Sequence, residues 1–308
     1  MKKGVIITGG TGLIGQALAA SLIDDEHEVI VLSRSPELST GLPDGVRVER
    51  WDARTAEGWS HLVDGTDAII NLAGENISAG RWTATRKRRI LESRLNAGRA
   101  IAQAVESAAH KPRVLIQASG IGYYGLCDNE EITEETPAGK DFLAQLAVEW
   151  EDSTARVEAW GVRRAIVRTG VVLSSKGGAL PRMLLPFRLF LGGRLGSGQQ
   201  WLPWIHMADE VGAIRFLIDN DSASGPFNLT APNALTNTDF SCIVGQQLRR
   251  PAFMPVPAFV LRFLFGEMAT LLLYGQRAVP QRLLQLGFTF KLPTADSALQ
   301  DILQKGKK

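Results

Sequence analysis

Three glycines at a fixed spacing near the amino end of the chain have the pattern of a phosphate-binding turn. Gly9, Gly12 and Gly15 follow an apolar run that ends at Thr8, and they open a stretch with helical periodicity. Between a strand and a helix, such glycines let the backbone approach a pyrophosphate, which the amides at the helix start then bind. The spacing and its context predict a dinucleotide site, and the alternative is a tight turn without a ligand.

The residues after the second apolar run indicate which dinucleotide would bind. That run ends in Ser33 and Arg34, where a site specific for NAD carries an acidic residue that binds the ribose 2′-hydroxyl. A guanidinium and a hydroxyl suit a 2′-phosphate instead, because both donate hydrogen bonds and the guanidinium adds charge. The sequence therefore predicts NADP(H) as the cofactor, although a solvated loop arginine would leave the same pattern.

The elements that must position these residues alternate regularly through the first half of the chain. Short β-branched runs separated by amphipathic segments predict an α/β fold with a Rossmann doubly wound parallel sheet. The predicted strands are 5–8, 29–32, 46–49, 68–73, 114–119 and 164–168, with a returning strand at 227–230. We expect a Rossmann domain over 1–172, with the return near 210–232, and a smaller substrate or cap domain over 173–209 and 233–308.

The composition limits the expected partners and compartment. The 308 residues include 34 Lys and Arg against 32 Asp and Glu, a net charge of +2. This balance creates no strong field, so we expect neither nucleic acid nor a membrane as a partner. The arginine-rich stretch over 81–94 is interpreted as a solvated helix face. Cys127 and Cys242 indicate no disulfide framework and no metal site, which predicts a cytoplasmic location.

Several segments resemble a known superfamily. The glycine turn, Asn-Leu-Ala-Gly at 71–74, and 119–125 with its terminal Tyr-Gly resemble the extended short-chain dehydrogenase/reductase superfamily of NAD(P)-dependent epimerases and dehydratases. Further segments narrow the resemblance to the atypical YfcH-like "epimerase family protein" group: 71–77, 122–125, 168–173, 184–188, 196–198, 203–206 and 275–277. This resemblance covers nearly the whole chain and implies an NADP-binding fold.

The resemblance also implies a cofactor contact for each position that matches a motif. The pyrophosphate would be held by Gly9, Gly12, Leu13, Ile14 and Gly15, the 2′-phosphate by Ser33 and Arg34, and the adenine would face Asp52. At the next strand end, the cofactor would be lined by Leu72, Ala73 and Gly74, followed by Glu75 toward the nicotinamide. Arg94 would contact the cofactor phosphates, and Val172 would lie near the nicotinamide ring.

The acid/base pair of the superfamily is a tyrosine with a lysine four residues later, and this chain departs from it. The matching helical segment, 139–151, contains Phe142 but no tyrosine, and Lys140 precedes the aromatic position. The remaining candidate catalytic residues are Ser119, which would polarise a substrate oxygen, and Tyr124, which would substitute as acid or base. Without a lysine, a tyrosine keeps a pKa of about 10 and is a weak base. Packing or a contact with the cofactor edge is therefore the alternative role for Tyr124.

Two functions remain open. One is an NADP-dependent oxidoreductase or epimerase that acts on an unknown small hydroxylated or carbonyl substrate, favoured by 196–206, whose Trp201 and Trp204 are predicted to line a pocket. The other is a non-catalytic NADPH-binding sensor or protein-interaction regulator, since the resemblance includes proteins linked with cell division. The absent tyrosine–lysine pair favours the second. A homodimer or a protein partner is compatible with both, and His206 is expected to line the pocket or to cap a helix.

Overall fold

The computed structural model describes residues 2–127 and 129–305, which form alternating strands and helices. The strands are β1 (Gly4–Thr8), β2 (Glu28–Ser33), β3 (Arg47–Arg50), β4 (Ala68–Asn71), β5 (Val114–Gly120), β6 (Glu131–Ile132), β7 (Arg163–Thr169), β8 (Val171–Leu173), β9 (Trp201–Leu202), β10 (Trp204–His206), β11 (Gly225–Leu229), β12 (Leu235–Thr236) and β13 (Arg277–Ala278). The helices are α1 (Leu13–Asp24), α2 (Ala84–Ser107), α3 (Phe142–Asp152), α4 (Leu180–Arg188), α5 (Met207–Asp219), α6 (Asn237–Leu248), α7 (Ala258–Phe265), α8 (Thr270–Leu273), α9 (Gln281–Gln285) and α10 (Ala295–Lys305).

A parallel sheet forms the centre of the fold. In the described residues its order is β11-β7-β5-β4-β1-β2-β3, and every neighbouring pair is parallel. The chain order reverses between β1 and β4, so a crevice lies beyond the carboxyl ends of these two strands. The predicted doubly wound α/β fold is confirmed, and the returning strand is β11.

Both faces of the sheet are covered by helices. Along β1, Val5 and Ile7 pack on one side with α1 and α5, whereas Ile6 packs on the other side with α2. All three side chains are at most 1% exposed. Side chains alternate between the faces of a strand, and here both faces are buried, which explains why the strand sequences are continuously apolar rather than alternating.

The carboxyl-terminal part adds a separate apolar cluster. Its members come from the segments between β8 and α10: Leu173, Leu180, Leu184, Phe187, Trp204, Ala231, Phe240, Val244, Ala295, Ala298, Leu299 and Ile302. The prediction that Trp204 lines a pocket is wrong, because its side chain is 1% exposed within this cluster. The division of the chain into two domains stays a prediction.

Two polar residues near the start of α5 form hydrogen bonds that hold this helix and the segment before α10. His206 is the N-cap of α5, where its Nδ1 accepts a hydrogen bond from the Ala208 amide at 3.0 Å. Of the two roles expected for His206, lining the pocket or capping a helix, the structure shows the helix cap. Asp209 accepts hydrogen bonds from the backbone amides of Lys291 at 2.7 Å and Leu292 at 3.0 Å, which fixes the segment before α10 against α5.

Of the helices described, none is long and apolar enough to cross a membrane.

Glu210, in the first turn of α5, is a fully buried carboxyl group. Its Oε1 accepts a hydrogen bond from the Thr169 hydroxyl at 2.8 Å, and its Oε2 is buried with no hydrogen-bond partner among the described residues. Burial raises the pKa of Glu210 from 4.5 to about 8, because the apolar surroundings disfavour the charged form. Glu210 is therefore protonated in the folded protein at neutral pH.

This carboxyl group predicts a pH dependence of stability. Between pH 4.5, the ordinary pKa of the group, and about pH 8, the folded chain holds a proton that the unfolded chain has released. The free energy of unfolding should therefore fall as pH rises through this window and level off above it. Urea unfolding across the window measures the slope. Glu210→Gln should remove part of the decline, whereas the exposed Glu57→Gln should keep it; equal slopes in the two variants would contradict the assignment.

Candidate dinucleotide-binding site

The glycine turn after β1 is held by close backbone contacts. Gly9 has a φ of +69°, and a Cβ added there would lie 2.6 Å from the carbonyl oxygen of Leu72. A Cβ added at Gly15 would lie 2.5 Å from the carbonyl oxygen of Gly9. These distances are shorter than van der Waals contact with rigid backbone, so both positions require glycine. The turn thus packs directly against the end of β4, at the point where the chain order reverses.

The start of α1 is open to a ligand. Gly12 is the N-cap residue of α1 and is exposed to solvent. Among the described residues, no side chain caps this helix. The first amides of an α-helix have no intrahelical partner, and the helix dipole adds positive charge there. At Gly12 a Cβ would lie 3.2 Å from the Gly9 oxygen, so the cradle is narrow. A pyrophosphate fits this combination of open amides, positive potential and absent side chains.

The segment after β8 borders the same helix start. A Cβ added at Gly178 would lie 3.0 Å from the Leu13 side chain and 3.7 Å from the carbonyl oxygen of Val172. Val172 is therefore close to the first turn of α1, and its position near the nicotinamide ring stays a prediction. The structure brings together Leu13 and Val172, which are far apart in the sequence.

The end of β2 carries the two residues predicted to bind a 2′-phosphate. The Ser33 hydroxyl oxygen accepts hydrogen bonds from the Ser35 amide at 3.2 Å and from the Ser39 hydroxyl at 3.0 Å. Arg34 is exposed, and no carboxylate forms an ion pair with it among the described residues. Its carbonyl oxygen accepts a hydrogen bond from Arg50 at 3.1 Å, which holds the backbone beside β3. The guanidinium of Arg34 is thus available to an anionic ligand.

Glu75 lies among arginines. Its carboxylate pairs with Arg89 at 2.6 Å and with Arg86 at 3.1 Å. A hydrogen bond from Arg89 holds its pKa below the ordinary value, and the charges of Arg86 and Arg34 lower it further. Glu75 is therefore within electrostatic reach of the residue predicted to bind the 2′-phosphate. The orientation of Glu75 toward the nicotinamide stays a prediction.

The buried Arg94 holds the segment that follows β4 in place. Its side chain is 8% exposed, and a Cβ added at Gly74 would lie 2.9 Å from its guanidinium carbon. The guanidinium donates to the carbonyl oxygen of Glu75 at 3.0 Å and lies 4.7 Å from the centre of the Trp150 ring. Burial lowers the pKa of Arg94 to about 10, and its Nε has no hydrogen-bond partner. Arg94 thus fixes the loop predicted to line the cofactor, and a phosphate contact stays a prediction.

Asp52 stabilises its own loop after β3. Its carboxylate accepts the amides of Arg54 at 2.7 Å and Thr55 at 2.8 Å, and these hydrogen bonds lower its pKa. The contact of Asp52 with an adenine stays a prediction. In the described part of the chain, no three His, Cys, Asp or Glu side chains are placed to bind a metal ion.

Ser119 and Tyr124 both belong to a buried polar network at the ends of β5 and β7. The Ser119 hydroxyl donates to Glu151 at 2.6 Å, and Glu151 forms a bidentate pair with Arg168, with both distances 2.9 Å. Arg168 donates to the Tyr124 hydroxyl at 3.1 Å, and that hydroxyl donates to Asn228 at 2.7 Å. The structure thus brings the two predicted catalytic residues together through one buried ion pair.

The surroundings of Tyr124 disfavour proton exchange. The side chain is 3% exposed, and burial raises its pKa to about 12 although the charge of Arg168 acts in the opposite direction. Its hydroxyl already donates one hydrogen bond and accepts another. A group that exchanges protons near neutral pH needs a pKa close to that pH. The geometry therefore favours packing as the role of Tyr124.

The face of α3 that would present an acid/base pair is apolar. Phe142 packs edge-on against Trp82, with ring centres 5.2 Å apart. Leu146, one turn further along α3, is 5% exposed and belongs to the same apolar cluster. Lys140 precedes the helix, which begins at Phe142. No tyrosine or lysine occurs within α3.

The network around Arg168 was missed as a unit by the sequence analysis. Glu151, Arg168 and Asn228 are each at most 7% exposed. A charged residue that ends an apolar strand, as Arg168 does, must find a partner when buried, and that requirement is the signal in the sequence. The partner itself comes from α3 and is set by the tertiary fold.

The arginine-rich stretch over 81–94 is largely occupied in ion pairs. On α2, each of four basic residues pairs with a carboxylate: Arg86, Lys87, Arg88 and Arg89.

The fold and the glycine cradle define an α/β protein with a dinucleotide-type site, and comparison with known proteins gives its family. Residues 5–230 match the NAD dependent epimerase/dehydratase family, and residues 256–302 match a domain of unknown function, DUF1731. The chain therefore belongs to the NAD dependent epimerase/dehydratase family. The predicted membership of the superfamily is confirmed.

Similar proteins extend over the full length of the chain. Epimerase family protein SDR39U1 from Mus musculus is 39% identical over 303 residues, covering 97% of this chain and 99% of the relative. Epimerase family protein YfhF from Bacillus subtilis is 38% identical over 304 residues, covering 98% and 99%. The crystal structure of the human epimerase family protein SDR39U1 (isoform 2) with NADPH has a TM-score of 0.88 at 36% identity, covering 97% of this chain and 99% of that one.

The close contacts of the glycine turn predict different effects for two alanine substitutions. Gly15→Ala forces a Cβ against backbone at 2.5 Å and should lower the free energy of unfolding by about 1–3 kcal/mol. Gly12 has an extended backbone with φ −80°, which alanine adopts. A Cβ there lies 3.2 Å from the Gly9 oxygen, so Gly12→Ala should cost less stability than Gly15→Ala, and it should weaken dinucleotide binding by narrowing the cradle. Urea unfolding and binding calorimetry separate the two effects. Full NADPH affinity in Gly12→Ala would contradict the assignment of the cradle.

Proposed function

We propose that this chain binds NADP(H) in preference to NAD(H) and acts as a cofactor-sensing or regulatory protein. The observation that supports the preference is the exposed Arg34 at the end of β2, beside Ser33 and without a carboxylate partner among the described residues. The pyrophosphate would lie on the amides at the start of α1, between Gly9 and Gly15. The human SDR39U1 structure contains NADPH, which supports the same cofactor here.

The proposed regulatory role rests on the state of the groups that would move protons. Tyr124 is buried with a raised pKa, and α3 contains neither a tyrosine nor a lysine. Redox or epimerase chemistry on a hydroxyl or carbonyl needs a group that takes or gives a proton. The binding elements are thus built into the sheet while the acid/base pair is absent. A protein that reports the cofactor state to a partner needs only the former.

The second candidate is an NADP-dependent oxidoreductase or epimerase for a small hydroxylated or carbonyl substrate. The observation in its favour is Ser119, whose hydroxyl donates to Glu151 at 2.6 Å. A hydroxyl aligned by a carboxylate orients its lone pairs and can hold a substrate group. Either function is compatible with a homodimer or with another protein as the partner. A cytoplasmic location also stays a prediction.

The proposed cofactor preference makes a prediction for Arg34. Arg34→Ala removes a charge-assisted hydrogen bond, so it should weaken NADPH binding by about 10- to 100-fold. NADH lacks the 2′-phosphate and should bind the variant as it binds the parent protein. Calorimetric titration of both cofactors measures the two ratios. The matched control is Arg99→Ala, an exposed arginine on α2, and an equal loss for NADPH and NADH in Arg34→Ala would refute the 2′-phosphate assignment.

Turnover separates the two candidate functions. The protein with NADPH is offered nucleotide sugars, quinones and small carbonyl compounds, while the near-ultraviolet absorbance of reduced nicotinamide and the product masses are followed. We expect tight NADPH binding without turnover, because α3 contains neither a tyrosine nor a lysine and burial raises the pKa of Tyr124. Turnover that is abolished in Ser119→Ala but kept in Tyr124→Phe would contradict the regulatory proposal and establish the second candidate.

A further inference from the structure

Two segments in the carboxyl-terminal part of the protein carry large apolar side chains that are exposed to solvent. We name this surface the apolar rim. Its members are Leu185 (55% exposed), Leu189 (60%), Phe190 (55%), Leu191 (51%), Phe253 (72%), Met254 (42%), Phe259 (71%), Phe263 (77%) and Leu264 (52%). Single exposed apolar residues are ordinary on protein surfaces, whereas a large group of them on neighbouring segments is typical of an interaction site.

The segments that carry the rim are neighbours in the fold. The Met254 amide donates to the Gly192 carbonyl oxygen at 3.0 Å, and the Val256 amide donates to that of Arg194 at 2.9 Å. The chain after α4 therefore runs beside the segment that leads into α7. On α7, Phe259 and Phe263 are four residues apart and lie on one side of the helix.

The charges along these segments have one sign. Within 180–196 and 249–266 there are six arginines and no Asp or Glu. The arginines are Arg182, Arg188, Arg194, Arg249, Arg250 and Arg262, and all six are exposed. None of them forms an ion pair with a carboxylate among the described residues. Arg250 instead lies over the Phe190 ring at 4.3 Å, which joins the charge to the rim itself.

From this arrangement we propose that the apolar rim docks onto an anionic lipid surface. Protruding phenylalanine and leucine side chains enter the interface of a bilayer, and unpaired arginines attract anionic headgroups. A second copy of this chain fits less well, since a two-fold contact would place the rim against itself and set arginines opposite arginines. The whole-chain charge of +2 gave no sign of this surface, because acidic residues elsewhere balance the local arginines. The inference goes beyond the proposed cofactor function and does not depend on it.

Vesicle sedimentation tests the inference with the full chain. Vesicles of phosphatidylcholine are compared with vesicles of equal parts phosphatidylcholine and phosphatidylserine. The protein should sediment with the anionic vesicles, and binding should weaken as salt is added, because salt screens the arginine charges. Phe259→Ser with Phe263→Ser should abolish sedimentation. The triple variant Arg188→Gln, Arg250→Gln and Arg262→Gln should reduce it at least tenfold.

Matched controls hold the chemistry of these substitutions constant. Leu284→Ser changes an apolar side chain that is 48% exposed on α9, and Arg99→Gln changes an exposed arginine on α2; both should bind like the parent. Urea unfolding verifies that the phenylalanine variant keeps its stability. No sedimentation with anionic vesicles, or unchanged sedimentation of the phenylalanine variant, would overturn the proposal. Dimerisation that the phenylalanine variant loses, without vesicle binding, would overturn it in favour of a second copy.

Discussion

The contact of the glycine turn with the end of β4 is the constraint on which the rest of this structure depends. Because Gly9 lies against the Leu72 carbonyl and Gly15 lies against the Gly9 carbonyl, the start of α1 is drawn down onto the carboxyl edge of the sheet. That position directs the open amides of α1 into the crevice between β1 and β4. The residues after β2, β4 and β8 then border the same space. A side chain at Gly9 or Gly15 would separate the helix from the sheet edge.

Charged residues at two places along the carboxyl edge of the sheet have different surroundings. At the β2 end the exposed Arg34 has no carboxylate partner in the part of the chain that the structure describes, so its charge is available to a ligand. At the β5 and β7 ends, the charges of Arg168 and Glu151 are buried against each other, and removal of one partner from such a pair costs about 3–5 kcal/mol. The first arrangement suits binding, and the second suits rigidity. This division is the physical basis for proposing a protein that binds a phosphorylated dinucleotide without using tyrosine chemistry.

The sequence predicted the features that depend on local pattern. The strands are apolar on both faces, as in β1, and the glycine turn is recognised by the spacing of its glycines. Both features can therefore be predicted from the residue types along the chain. For His206 the sequence left two roles open, lining the pocket or capping a helix, and the fold decides for the cap. The pairing of Glu151 with Arg168, the engagement of Glu75 by Arg86 and Arg89, and the burial of Trp204 depend on contacts between segments far apart in the chain. Residue patterns do not encode such distances, and the apolar rim likewise emerges only when separate segments meet.

A crystal structure of the protein grown with NADPH tests the central claim most directly. The account predicts that the pyrophosphate lies within hydrogen-bond distance of the amides at Leu13 and Ile14, and that the 2′-phosphate contacts the Arg34 guanidinium and the Ser33 hydroxyl. A cofactor bound elsewhere, or a 2′-phosphate that points away from Arg34 into solvent, would contradict it.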